Sequence, residues 1–148
     1  ACLYFYSQGK GRGKTHLAGA LINAALADGR RAVLVNETDY IERYWAASLE
    51  DRATLSALPG DRAWLTAIDD LGQRESTGAG LRDAWYDVLN ARWLKRGWLI
   101  VTSNYKPDEL VERGTISEAT YSRLVQMTQG KLITFEGVDQ RLQYSEAA

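Results

Sequence analysis

Residues 3–15 read Leu3-Tyr4-Phe5-Tyr6-Ser7-Gln8-Gly9-Lys10-Gly11-Arg12-Gly13-Lys14-Thr15. Four apolar residues in a row, without alternation, are what a strand covered on both faces requires. The abrupt change to a polar run with glycine at every second position marks a tight turn. Beyond it Leu17, Leu21, Ile22, Ala25 and Leu26 recur at helical spacing, and Asp28-Gly29 stands where a helix ends on glycine. A buried strand, a glycine loop and a helix make one βα unit, which sets the fold class as α/β.

The rest of the chain repeats the alternation. Ala32-Val33-Leu34-Val35 predicts a second buried strand, and Asn36-Glu37-Thr38-Asp39 the turn and cap of a helix carrying Tyr40, Ile41, Tyr44, Trp45 and Leu49. Leu55 to Arg62, broken by Pro59-Gly60, is connecting structure. Trp64 to Ile68 leads a third strand into Asp69-Asp70, and Ser76 to Gly80 is a flexible entry to a helix whose apolar positions are Leu81, Trp85, Val88, Leu89 and Trp93. Trp98 to Val101 is a fourth strand running into Thr102-Ser103-Asn104. A helix near Ser117 to Met127 and a fifth strand, Leu132 to Phe135, complete the pattern. Strands alternating with helices imply a mostly parallel sheet with helices on both faces.

The composition is 45% hydrophobic, 25% charged and 10% aromatic over 148 residues, which fits one soluble domain spanning 1–148. A net charge of −1 excludes a globally positive surface, so any nucleic-acid contact must be a local patch. With one cysteine, Cys2, and one histidine, His16, there is no internal disulfide and no Cys/His zinc set. A reducing compartment follows, and the absence of a spanning apolar run or a signal-peptide pattern places the chain in the cytoplasm, away from membranes. The start directly on a strand, without Met, implies that a preceding region is missing.

Gly-Lys-Thr between a strand and a helix is phosphate-binding chemistry, because it supplies converging backbone amides, a helix N-terminus and a lysine. The segment expected to contact nucleotide is Gly9, Lys10, Gly11, Arg12, Gly13, Lys14, Thr15 and His16, with Lys14 on the β- and γ-phosphates and Thr15 on Mg2+. His16 is otherwise read as a packing or capping side chain. The first glycine of the motif GxxxxGK[ST] is replaced by Gln8, a candidate strain point. Asp69 is assigned to the metal and Asp70 to polarising the attacking water. Asn104, at the carboxyl end of strand four, can bond a γ-phosphate and a water, and reads equally as a turn former before Tyr-Lys-Pro. Arg123 is a surface arginine by itself, suited to an interface where phosphoryl charge develops; Arg113 is the less favoured candidate. Tyr40, Arg43, Tyr44, Trp45 and Arg52 interleave rings and cations as single-strand binding requires, although helix packing explains Tyr44 and Trp45 more simply.

Taken together, Gly-Arg-Gly-Lys-Thr-His-Leu-Ala at 11–18, Ala-Ile-Asp-Asp-Leu-Gly at 67–72, Val-Thr-Ser-Asn-Tyr at 101–105 and Ser-Arg-Leu at 122–124 resemble the AAA+ ATPases. The resemblance covers nearly the whole chain and is strongest to the replicative-helicase loaders of the DnaC and DnaI type, with the IstB transposition ATPases next. It implies a P-loop NTPase three-layer αβα sandwich whose five-stranded parallel sheet runs in the order 5-1-4-3-2, as an AAA+ core without a C-terminal lid domain. It also implies that Asn104 is the sensor-1 residue and Arg123 the arginine finger completing a neighbour's site in a homo-oligomer. Further implications are ATP/ADP and Mg2+ as cofactors, slow ATP hydrolysis completed in trans, single-stranded DNA contact from about Asp39 to Leu58, and a replicative DNA helicase held through an absent N-terminal domain. An IstB-like transposition helper is the same-class alternative. A small-molecule P-loop kinase is the alternative of another class, disfavoured because Asp69-Asp70 with Asn104 suits attack by water.

Overall fold

The computed structural model describes residues 1–57, 59, 62–74 and 79–137. Among these the chain runs β1 (Cys2–Tyr6), α1 (Lys14–Ala27), β2 (Ala32–Asn36), α2 (Glu37–Ala46), α3 (Leu49–Ala57), β3 (Leu65–Asp69), α4 (Ala79–Leu94), β4 (Trp98–Ser103), α5 (Pro107–Glu112), α6 (Glu118–Thr128) and β5 (Ile133–Thr134). The strands form one sheet, β2-β3-β4-β1-β5, in which every pairing is parallel. Read from the other edge this is the expected order 5-1-4-3-2.

The pleat divides the core into two. Tyr4, Tyr6, Ile68, Leu99 and Val101 pack on one face against Tyr40 and Ile41 of α2, Trp85, Val88 and Leu89 of α4, Leu110 of α5 and Leu124 of α6. Phe5, Leu65, Ala67 and Ile100 pack on the other face against Ala18, Ile22 and Ala25 of α1. This is a three-layer αβα sandwich, and the two-sided burial of β1 and β4 explains the unbroken apolar runs 3–6 and 98–101, while β3 buries Thr66 among its apolar residues. At the amino ends of β3 and β4 the fully buried guanidinium of Arg92 donates to the carbonyls of Ala63, Trp64 and Trp98. Cys2 is buried, and burial pushes its thiol up to about 12, so it stays protonated and unreactive.

Several local expectations change. Leu17 and Leu26 are exposed, and α1 meets the sheet through the smaller Ala18 and Ala25, with Ile22. The helix expected to continue from Tyr40 to Leu49 ends at Ala46. Ser48 starts a second helix by accepting the Asp51 amide at 3.3 Å, so Leu49 and Leu55 belong to α3. No turn separates β2 from α2: Asn36 ends the strand and its side chain accepts the amides of Thr38 and Asp39 at 3.0 and 3.5 Å. The fifth strand is two residues long and lies at the edge beside Phe5 and Tyr6. Trp93 is partly exposed on α4. Gly60, residues 76–78 of the flexible entry and the side chain of Leu81 lie outside the described residues.

Candidate functional site

Parallel strands end together, so β1, β4 and β3 deliver Ser7, Asn104 and Asp69-Asp70 to one end of the sheet, where α1 begins. The loop from Ser7 to Gly13 turns through left-handed backbone at Gly11 (φ 72°) and Gly13 (φ 91°), conformations that glycine adopts without steric cost. Gln8 has no such φ, so replacing the first motif glycine introduces no backbone strain there. Gly13 caps α1 without a side-chain hydrogen bond, and a helix start of this kind leaves its first amides for an anion.

Lys14 is the first residue of α1 and is 5% exposed. A lysine cannot be buried without acceptors. Its Nζ donates to Ser7 Oγ, to the Gly9 carbonyl at 3.3 Å and to Asn104 Oδ1 at 2.9 Å. The Ser7 hydroxyl in turn donates to the Gly9 carbonyl at 2.6 Å. One cation therefore ties the glycine loop to the end of β4.

Next to it Thr15 Oγ1 donates to Asp69 Oδ1 at 2.9 Å, and Thr102 Oγ1 donates to the same oxygen at 2.6 Å. Thr102 also accepts the Asp70 amide at 2.9 Å, while its carbonyl accepts the Leu71 amide at 2.9 Å. Asp70 sits at φ 56°, a region that aspartate enters more readily than most residues and where functional sites store strain. The chain leaves β3 at this bend, and Asp70 lines the cavity.

The cavity has a volume of about 660 Å³ and is lined by Lys10, Gly11, Arg12, Gly13, Lys14, Thr15, His16, Asp70, Gln73 and Asn104. Its size falls in the range of small-molecule sites. Gly9 and Asp69 join it through hydrogen bonds to Lys14 and Thr15. Among the described residues no group of three or more His, Cys, Asp or Glu could hold a metal by itself. One hydroxyl and one carboxylate 2.9 Å apart are instead a donor set that fits Mg2+, which takes few protein oxygens and fills the rest of its octahedron with water and phosphate.

Arg123 is not brought to this cavity. It lies on α6, half-buried, with Nη1 donating to Gln126 Oε1 at 3.1 Å and its guanidinium 5.3 Å from the Trp93 ring centre. Arg113 is engaged nearer the site: Nη2 donates to the Gly72 carbonyl at 2.9 Å, and the guanidinium lies 4.0 Å from the Tyr105 ring centre. On α2, Tyr40 and Tyr44 are core residues, Tyr40 stacking on Trp85 at 4.9 Å. Arg52 Nε donates to the Tyr44 carbonyl at 2.9 Å, closing the carboxyl end of α2. Of the interleaved set, Arg43 and Trp45 remain exposed.

Four residues around the cavity are given no role there by the sequence reading. Ser7 and Thr102 hold Lys14, Asp69 and Asp70, and Gln73 lines the cavity. The fourth, Glu37, is fully buried and accepts the amides of Gly72 and Arg74 at 2.8 and 2.9 Å. Burial pushes the Glu37 carboxyl above its ordinary range, opposed by those two amides and by the charges of Arg113 and Arg74. The register places Thr102: Ile68 pairs with Val101, so the next residue along each strand brings Asp69 level with Thr102.

No family model matches the chain, and no curated protein matches it. Solved structures do match. The replication initiator DnaA bound to AMPPCP and single-stranded DNA superposes with a TM-score of 0.72 at 20% identity, over 93% of this chain and 40% of that one. The DnaC helicase loader gives 0.71 at 22% identity over 91% and 78%, and DnaI gives 0.68 at 19% over 94% and 73%. The chain shares the fold of these structures, a three-layer αβα sandwich on a five-stranded parallel sheet. Identities this low establish the fold alone, and this chain spans two fifths of the DnaA chain. Among the described residues no helix is long and apolar enough to cross a membrane.

Proposed function

We propose that this chain is a nucleotide-driven switch: an ATP-binding and ATP-hydrolysing domain that assembles on single-stranded DNA and helps load a replicative helicase. One observation carries the nucleotide reading. Lys14 bridges the glycine loop and Asn104 while Thr15 meets Asp69, all at the carboxyl end of one parallel sheet.

The loop amides and the start of α1 bind phosphate, with Lys14 beside them as the compensating cation. Thr15 and Asp69 hold Mg2+, which when bound neutralises charge on the phosphate oxygens. Asn104 orients the γ-phosphate and a water, and Asp70 accepts the proton as that water attacks. Aspartate is one methylene shorter than glutamate, which agrees with slow turnover. Arg123, remote from its own cavity, serves a neighbouring subunit's site, so the active form is a homo-oligomer. The DnaA neighbour bound to single-stranded DNA and the DnaC loader support the DNA and helicase partners, and Arg43 and Trp45 offer a cation and a ring on the exposed side of α2. A soluble replication protein of this kind belongs in the cytoplasm.

The test is ATP turnover per subunit across a range of protein concentrations, with and without single-stranded DNA. Turnover per subunit is expected to rise with concentration and respond to DNA. Lys14→Ala is expected to abolish Mg-ATP binding, and Arg123→Ala to leave binding intact and stop hydrolysis. Unchanged affinity in Lys14→Ala sinks the nucleotide site; normal turnover in Arg123→Ala places the finger elsewhere.

A further inference from the structure

Glu37 is fully buried at the first position of α2, and its two carboxylate oxygens divide their work. Oε2 accepts the Gly72 amide at 2.8 Å and Oε1 the Arg74 amide at 2.9 Å. These amides flank Gln73, which lines the cavity and whose own amide donates to the Asp70 carbonyl at 3.1 Å. The segment from Asp70 to Arg74 is thus fastened on one side to β4, through Thr102, and on the other to α2, through Glu37. Arg113 closes the arrangement by donating to the Gly72 carbonyl while lying over Tyr105, the residue after Asn104. At the far end of α2 Arg52 of α3 donates to the Tyr44 carbonyl, so α2 and α3 are linked as well.

We infer that Glu37 is a positioning residue that couples α2 and α3 to the cavity segment carrying Asp70 and Gln73. This rests on the proposed nucleotide site. A displacement of α2 pulls on the Gly72 and Arg74 amides, and nucleotide in the cavity restrains the same segment. Because coupling between two sites is reciprocal, nucleotide tightens α2 as much as a ligand on α2 alters the nucleotide site. The connection is a continuous chain of hydrogen bonds, and a substitution at one link severs it.

Amide hydrogen exchange on the full 148-residue chain, with and without Mg-AMPPCP, tests this in wild type, Glu37→Gln and the control Glu42→Gln, whose side chain is exposed on the same helix. Without nucleotide, the carboxamide oxygen of Glu37→Gln still accepts one amide, and whichever of the amides of residues 72 and 74 is left facing its NH2 is expected to exchange about tenfold faster, as the loss of a single hydrogen bond implies. With Mg-AMPPCP, residues 69–74 gain protection in all three proteins at comparable affinity. Helix α2 gains it in wild type and Glu42→Gln and not in Glu37→Gln. Equal exchange at 72 and 74 in wild type and Glu37→Gln, or undiminished nucleotide-dependent protection of α2 in Glu37→Gln, overturns the inference. Failure of AMPPCP to bind wild type refutes the nucleotide site and with it the coupling, while the exchange rates without nucleotide still decide whether Glu37 holds the segment. If Glu37→Gln loses protection throughout β3 and β4 it has unfolded; Glu37→Asp, with its carboxylate withdrawn by one methylene, must then show the same selective loss on α2.

Discussion

Thr102→Val tests whether the end of β4 holds the site's two aspartates. Valine matches threonine in shape and suits a strand, so the change removes one hydroxyl and little else. Two contacts go with it: the 2.6 Å bond from Oγ1 to Asp69 and the 2.9 Å bond from the Asp70 amide to Oγ1. A hydrogen bond to a charged group contributes about 1.5–3 kcal/mol, and a buried amide left without an acceptor costs about 1–3 kcal/mol. Asp69 keeps the Thr15 hydroxyl at 2.9 Å, which favours the lower half of the combined range, about 3 kcal/mol. At about 2.1 cal/mol/K per residue, an unfolding entropy near 0.3 kcal/mol/K turns that into a fall in Tm of roughly 10 °C. The assay is thermal unfolding followed by circular dichroism, with Thr102→Ser as the control that restores the hydroxyl and recovers most of the loss. A Thr102→Val protein melting within about 2 °C of wild type would mean that the Asp69-Asp70 geometry does not depend on Thr102.

Two further outcomes follow from the same segment. Gly72 sits at φ +90°, and a Cβ there would lie 2.5 Å from Cδ2 of the buried Leu110 and 3.0 Å from Cδ2 of Tyr105. Gly72→Ala therefore combines left-handed strain with overpacking and should cost about 2–4 kcal/mol by chemical denaturation, whereas a loss below about 0.5 kcal/mol would show that the segment yields freely. The Glu37 carboxyl is raised above its ordinary value of 4.5 chiefly by burial, with Arg113, Arg74 and two amides opposing. Its folded form holds the proton to higher pH than the unfolded chain does, so the stability it contributes falls as pH rises from 4.5 through the folded value. Glutamine cannot titrate, and the Tm of wild type minus that of Glu37→Gln should shrink across that window; a difference independent of pH would refute the shift.

The parts legible in the sequence are those for which chemistry dictates the residue type. A strand covered on both faces is mostly apolar, so β1 and β4 stand out as runs and β3 as Leu65, Ala67 and Ile68 around a single threonine. Left-handed turns favour glycine, so Gly11 and Gly13 marked the loop. A phosphate site calls for a lysine, a hydroxyl and a carboxylate, so Lys14, Thr15 and Asp69 could be named and the fold brings them together. Periodicity could not separate α2 from α3, because the apolar pattern runs on past Ala46 and the break depends on one serine acting as a cap. Nor did it reveal α5, whose signals were Pro107 at its first turn and Glu109 reaching back to the Lys106 amide at 2.7 Å; six residues carry too little periodicity to be heard over a proline.

The supporting residues were hidden for a different reason. Holding a backbone amide demands only an acceptor at the right place, and a glutamate, a threonine or a carbonyl can each supply one. Glu37 lies 35 and 37 residues, and Thr102 32, from the amides they hold, so no local spacing pointed to them. What selects them is the order of the sheet, which sets β3 between β2 and β4 and leaves the chain after Asp69 flanked by whatever follows β2 and ends β4. Once that order is known, the residues level with Asp69 are Asn36, just before Glu37, and Thr102. The supporting positions are therefore set by the register of β3 between β2 and β4, and the sequence names the side chains that fill them, Glu37 just past the level of Asp69 at the end of β2 and Thr102 level with it on β4.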